Sequence, residues 1–428
     1  MSGDRGSAAR ASDRGVARYA DYQRTGAIAP LDAAIDLFRE AADTAPDDDP
    51  ERPKYLSNHG AALLVLFDRA GDAAVLDQAI ARLREAVAAT SGGHRLRAWH
   101  LANLGLALHN RFGRGGREAD LDEAVTIGRQ AVDAASAGDP RLPMYLSNLG
   151  DALRARAEHT GQLADLDQAI TRLSEAVKTA PADHPGLSLY LSNLGIARRS
   201  RFQRTGRLVE LDQAITALQE AADAAPADHP SQVTMASNLG NALLNRFERT
   251  GNLADLDRAI GRHRAATDAV PADHPSRPLY TGNLALTLQT RFERTGQLAD
   301  LDQAITRLSE AVEAIPAVHP RRPTYLSNLG GALMGRFERT GQLADLDRAI
   351  AVLSEGSAFA PADHPANSML LANLGTAFRH RYTRTGQAAD LDEAVVAGER
   401  SVALTPDDDP RRAAYLSKIG RASCRERV

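Results

Sequence analysis

The sequence predicts an all-α protein, a right-handed α-solenoid of about nine antiparallel helical hairpins. Three observations carry the prediction. The 428 residues repeat with a period of 45, which leaves nine units and 23 residues over, so the chain is one repetitive array rather than the three domains its length would suggest. Each period holds two apolar stripes of helical spacing. Aromatic residues make up only 4% while alanine is abundant, which favours helices packed through small and aliphatic side chains over a β architecture.

In the first helix of a unit the stripe reads Leu101, Leu104, Leu108 and Phe112. A glycine then closes it in all nine units, at Gly26, Gly71, Gly116, Gly161, Gly206, Gly251, Gly296, Gly341 and Gly386, as expected of a left-handed C-terminal cap where a Cβ is penalised. The second helix carries Leu166, Ala169, Ile170, Leu173, Ala176 and Val177 on one face. Its start is predicted at a capping box, with Asp165 as N-cap and Gln168 three residues on. A loop of the form Pro-Ala-Asp-His-Pro, as at 181–185, ends the unit, its second proline suited to the first turn of the next helix.

The tripeptide Asn-Leu-Gly, or a near variant such as Asn58-His59-Gly60, recurs inside the first helix, its third residue falling at Gly60, Gly105, Gly150, Gly195, Gly240, Ala285, Gly330 and Gly375. Glycine within a helix costs about 1 kcal/mol relative to alanine. Since Ala285 replaces it once, smallness is the expected requirement, with Gly150 crossing closely against Ala169.

Leu-x-Asn-Leu-Gly-x-Ala-Leu in the first helix, followed by Ala169, Leu173, Ala176 and Pro181 in the second, resembles the tetratricopeptide repeat over nearly the whole chain. That repeat has 34 residues; here the stretch between the helices and the connection to the next unit are both longer, and leucine replaces the signature tryptophan. The longer unit, with Arg-Phe-Glu-Arg-Thr-Gly-x-Leu-Ala-Asp-Leu-Asp, resembles the actinobacterial arrays that precede a CHAT domain, a caspase-like peptidase module. The resemblance implies a tetratricopeptide-like superhelix that serves as the sensing or docking region of a larger CHAT-domain protein. The alternative it leaves is a non-catalytic fragment of such a peptidase.

Along the chain, residues 1–25 are expected to form a degenerate first helix that caps the array, 26–410 the array itself, and 411–417 the start of a tenth repeat. The last ten residues, Ile419 to Val428, resemble the translation of a common sequencing adapter, so 418–428 is expected to be non-native and Cys424, the one cysteine, spurious. With no apolar leader at Met1 to Arg10 and no disulfide partner, the expected location is cytoplasmic.

No catalytic, cofactor or metal site is expected, and the chain is read as no enzyme in itself. The loop histidines His94, His184, His229, His274, His319 and His364 share their place with Asp49, Asp139 and Asp409, so helix capping rather than metal ligation explains them. Two arginine rows, one through Arg111, Arg156 and Arg291 and another through Arg69, Arg114 and Arg294, are expected to pair with aspartates within each repeat rather than to track phosphates. A net charge of −4 likewise argues against nucleic acid and anionic membrane as partners. The informative signal is variation just after the glycine of the first helix, in a scaffold that otherwise barely changes. It marks His109, Asn110, Arg154, Arg199, Leu244, Asn245, Gln289, Met334, Arg379 and His380, after Leu64 and Val65 in an earlier unit, and the resemblance to tetratricopeptide arrays, whose first helices line the concave groove, implies that these residues form a ligand groove. Arginine forks and amides there point to a protein or peptide ligand, extended and acidic.

Overall fold

A computed structural model describes residues 2–226, 231–317, 319–360, 364, 366–407, 409 and 411–423. Cys424, His229 and the end of the expected non-native tail, 424–428, lie outside them. Among the described residues all regular structure is helical, as expected. The chain forms two compact units, Met1–Pro226 and Ala227–Val428. In the first, first helices α1 (Ser2–Thr25), α3 (Arg52–Ala70), α5 (Arg97–Gly115), α7 (Leu142–Thr160) and α9 (Leu187–Thr205) alternate with second helices α2 (Ile28–Thr44), α4 (Ala73–Ala88), α6 (Glu118–Ala134), α8 (Leu163–Thr179) and α10 (Leu208–Ala224). The other unit repeats the scheme with first helices α11 (Gln232–Thr250), α13 (Arg277–Thr295), α15 (Arg322–Thr340) and α17 (Asn367–Thr385). Its second helices are α12 (Leu253–Asp268), α14 (Leu298–Glu313), α16 (Leu343–Phe359) and α18 (Ala388–Ala403), and α19 (Arg412–Ser423) follows. No helix among the described residues is long and apolar enough to cross a membrane.

Each unit is an α-solenoid of helical hairpins. A second helix packs on its own first helix and on the next one, and successive first helices touch one another, as α5 does α3 and α7. Neighbouring second helices make no comparable contact among the described residues. The first helices therefore crowd one side of each unit and form its inner face. The apolar stripes meet between the layers, where Leu104, Leu108, Ala124 and Val125 are buried together with Leu149 and Leu153 of the next hairpin. No hairpin buries its stripes alone, as stacked repeats require.

All nine capping glycines are left-handed, with φ between +64° at Gly116 and +81° at Gly161. The glycine N–H closes the helix onto the carbonyl four residues back, as Gly296 does onto Phe292 at 2.7 Å. The second helix, however, starts earlier than the capping box predicted. α8 begins at Leu163 with Gln162 as N-cap, and Asp165 lies in its first turn, where Arg156 takes both its oxygens. Its carboxylate is thus committed to a guanidinium, and the turn is closed instead by Thr160, whose hydroxyl receives the Gln162 N–H. The proline of the loop also falls outside the helix. It sits in a tight turn from His184 to Leu187, closed by a 3.0 Å backbone bond, and α9 begins only at Leu187.

The mid-helix glycine meets a different neighbour from the one expected. A methyl group on Gly150 would lie 2.5 Å from Cγ of Leu173, one turn beyond Ala169, and Gly60, Gly195 and Gly330 face Leu83, Leu218 and Leu353 in the same way. Gly105 differs because Gly128 stands where those leucines stand, and its nearest neighbour would be a carbonyl oxygen at 3.5 Å. Gly240 faces His263, whose ring is fully buried with neither nitrogen hydrogen-bonded.

Two predictions follow from this packing. Gly150→Ala should lower stability by roughly 1–2 kcal/mol through overpacking against Leu173, whereas Gly105→Ala should be neutral or stabilising by up to about 1 kcal/mol. Gly296→Ala should cost about 1 kcal/mol or more through its left-handed backbone. Urea denaturation of the three variants checks the order, and a harmless Gly150→Ala would contradict it. The second concerns pH. Burial lowers the pKa of His59, His100 and His263 from 6.5 to about 4. Below pH 6.5 the unfolded chain therefore takes up protons that the folded chain refuses. Stability, full above that pH, should decline by about 1.4 kcal/mol per pH unit for each histidine until pH about 4. His263→Leu, which restores the leucine of its sister hairpins, should raise the melting temperature at pH 7 and flatten its fall in acid.

Candidate functional site

The inner face is set by helix geometry. Two residues before the mid-helix glycine is a rotation of about 200°, so the asparagine of Asn-Leu-Gly points away from the second helix. In unit one this places Asn58, Asn103, Asn148 and Asn193 in a row across α3, α5, α7 and α9; in the other unit Asn238, Asn283, Asn328 and Asn373 do the same. All but Asn103 are half-buried. Three of the amides are tethered to the preceding hairpin: Nδ2 of Asn193 donates to Oγ of Ser147 at 3.2 Å, and Asn283 to Ser237 at 3.1 Å. Asn103 reaches Ser57 at 3.5 Å.

Four residues after the glycine is a rotation of about 400°, which returns to within about 40° of the second helix. Apolar residues there join the core. Leu244 and Met334, expected as ligand contacts, are only 5% and 8% exposed, which corrects that expectation. Met334 does border a cavity of about 260 Å³ with Gln289, Phe292 and Leu301. Asn245 gives its amide to Glu248 at 3.2 Å, and Asn110 is half-buried.

The polar groove residues of unit one are brought together in a chain of contacts. His109 Nε2 lies 3.2 Å from Asp151, Arg154 donates to Asp151 at 2.6 Å and to Glu158 at 2.8 Å, and Ser200 donates to Glu158 at 2.6 Å. Burial pushes the Asp151 carboxyl up, but the His109 bond and Arg154 outweigh it and hold it well below the usual range. For Arg154 burial works against the charge, and Asp151 and Glu158 outweigh it in the same way. Arg154 is therefore occupied by two carboxylates of its own chain and is not the open fork that an acidic ligand would need. Arg199 is closer to that description. Its Nε is buried with no hydrogen-bond partner, and burial together with Arg154 lowers its pKa against the pull of Glu158. In the other unit His380 lies 3.5 Å from Glu338, beside Arg379.

The two arginine rows are structural. Arg156 grips Asp165, 4% exposed, through Nε and Nη2 at 2.7 and 2.8 Å, while its Nη1 reaches Asp122 of the preceding hairpin at 3.1 Å. Arg111, Arg291, Arg336 and Arg381 repeat both contacts. The pairing expected within a repeat thus also crosses between repeats. In the other row Arg69 and Arg114 bond the carbonyls of Gly26 and Gly71 one hairpin back, and Arg114, Arg294 and Arg384 lie over Phe67, Phe247 and Phe337. The loop histidines close the turn before the first helix rather than capping the helix itself: Nδ1 of His94, His184, His274, His319 and His364 accepts the N–H of the residue two positions on, the helix N-cap, at 3.0 to 3.2 Å, and Asp49, Asp139 and Asp409 accept the N–H two residues on with an oxygen.

Known proteins agree with this architecture. A tetratricopeptide repeat family model matches residues 233–276. No curated protein sequence matches the chain. Among solved structures, a monomeric mutant of IFIT1 with m7Gppp-AAAA aligns over 94% of this chain and 78% of its own at 14% identity, with a TM-score of 0.55. PilF of Pseudomonas aeruginosa covers 62% of this chain and 94% of its own at 16% identity (TM-score 0.41), and BtubC of P. vanneervenii 65% and 96% at 16% (TM-score 0.39). The fold of the chain is a tetratricopeptide-like α-solenoid, and residues 233–276 match the repeat family itself; such repeats generally mediate binding between proteins.

Because Arg291 neutralises a buried carboxylate, Arg291→Ala should destabilise the array by roughly 3 kcal/mol, leaving Asp300 uncompensated. Changing Asp300 to Asn together with it should recover much of the loss in thermal melts. A phosphate-tracking arginine would instead be dispensable for stability.

Proposed function

We propose that the inner face of the first helices is a docking groove for an extended protein or peptide segment, and that the chain is the cytoplasmic sensing or docking part of a larger CHAT-domain protein. The asparagine row carries the docking reading. A primary amide offers both a donor and an acceptor, the complement of a peptide unit, and serine tethers hold Asn103, Asn193 and Asn283 in place. Pre-ordered groups lose less freedom on binding. The row reads the backbone and is indifferent to side chains, so selectivity falls to the varied positions beside it. Arg199, with its unpaired Nε, is the position where an acidic side chain of the ligand would be met; Arg154 contributes by holding Glu158 in place. The association with a CHAT domain rests on the resemblance of the 45-residue unit, and the compartment on the scarcity of cysteine.

Replacing Asn148 and Asn193 by Ala should weaken binding of an extended partner segment at least tenfold with little change in melting temperature. Arg199→Ala should weaken acidic segments more than neutral ones, and added salt should reduce that difference. Calorimetric titration with segments selected from a displayed peptide library checks both. Undiminished affinity in the asparagine variant would move the site off the inner face.

A further inference from the structure

The inner face of unit one opens with a cavity of a different chemistry. Between α1, α3, α5 and α7 lies a space of about 400 Å³, walled by Val16, Tyr19, Val65, Trp99, Leu106 and Met144. A cavity of this size accommodates a few bulky side chains. Asp68 is the one charged side chain in its lining. At the same place in other hairpins Glu158 is held by Arg154 and Ser200, Glu248 by Asn245 and Glu338 by His380, while Glu293, like Asp68, has no such partner among the described residues. Hairpin two has lost these partners. Leu64 stands where Arg154 stands two hairpins later, and no ion pair or hydrogen bond reaches the Asp68 carboxylate from any described residue. Asp68 itself is exposed at the rim of the cavity, and partial burial raises its pKa. The wall also suits a cation. Arg141 already lies 5.5 Å over the Trp99 ring, and Tyr19 supplies a second aromatic face.

We propose that this cavity receives a partner segment carrying bulky apolar side chains beside a lysine or arginine, with the cation paired to Asp68. Charge complementarity selects the occupant: an unmatched carboxylate in an apolar wall repels acidic segments and gives a neutral one no advantage at that point. This selectivity goes beyond docking through the asparagine row, which does not distinguish side chains.

Trp99 is the only tryptophan of the chain, so its emission reports the cavity directly. The test titrates the full chain with an acetylated, amidated Gly-Ser-Leu-Leu-Lys-Leu-Leu-Ser-Gly peptide and with twins in which norleucine or glutamate replaces the lysine. The lysine peptide should shift Trp99 emission saturably and bind at least tenfold more tightly than the norleucine twin, with the glutamate twin weakest and the advantage shrinking as salt rises. Asp68→Asn should bring the lysine and norleucine peptides within about twofold of each other while helical circular dichroism stays unchanged. Asp68→Gln, which installs the residue type of Gln203 at the equivalent place, gives a second neutral variant should the first fold poorly. Equal binding of the three peptides, a lysine preference that survives both variants, or no response at Trp99 would overturn the proposal. So would self-association of the free chain, seen by sedimentation and abolished by Val65→Glu, because the face would then belong to a second copy. Asn148→Ala with Asn193→Ala leaves the cavity lining untouched, so failure here and failure of the asparagine row are separately visible.

Discussion

The scaffold depends on one repeated interaction, the grip of a first-helix arginine on two aspartates. Arg156 closes its own hairpin through Asp165, nine residues ahead, and ties itself to the hairpin before through Asp122, 34 residues back. The buried carboxylate makes the contact obligatory, since an uncompensated charge there is costly, and the bidentate geometry makes it exacting. An insertion between Asp122 and Arg156, or between Arg156 and Asp165, would break one half of the grip. This accounts for a period of 45 residues held without a gap from hairpin to hairpin. It also consumes the basic residues. An array rich in arginine therefore presents little free positive charge along these rows.

Much of this was legible before any coordinates. Periodicity marked the helices, and the nine capping glycines marked their ends, because both signals are local and a left-handed backbone has few alternatives to glycine. What failed was decided by tertiary partners. Asp165 looks like a helix cap, but its carboxylate is claimed by Arg156, so the helix starts three residues earlier. Gly150 was matched with the small Ala169, although the space is filled by Leu173 one turn on; sequence spacing shows that a small residue is needed, not what crowds it. Leu244 and Met334 occupy a position that varies from hairpin to hairpin, but rotation about the helix turns an apolar side chain there inward. The asparagine row was missed for the opposite reason. It does not vary, and variation was the criterion. Its signal was present all the same: a residue of poor helix propensity retained in the middle of eight helices calls for a reason other than helix formation.

The deviations among hairpins show that the close crossing between helices has more than one solution. A glycine against a leucine is the common one. Gly105 against Gly128 leaves the interface open, Ala285 builds it around a methyl group beside Leu308, and His263 fills the leucine position with a ring that no partner satisfies. Each change is confined to one hairpin, because stacked repeats transmit strain only to their neighbours. The array can thus accept local loss of stability without losing its register.

The same locality shapes recognition. In the proposed docking, the recurring amides along the inner face would meet any extended backbone and contribute affinity without choice. Choice must come from places where a hairpin departs from the common pattern, and the departures in unit one are of two kinds. In hairpins four and five an arginine and an acid face each other and cancel, leaving Arg199 as the residual charge. In hairpin two the arginine is replaced by Leu64, and the acid is left without its cation beside an apolar wall. Loss of an internal partner is what turns a structural residue into one that can discriminate. A carboxylate already paired has little to gain from a ligand, whereas an unpaired one beside an apolar wall gains the interaction when the matching cation arrives and the ligand excludes water from the pair.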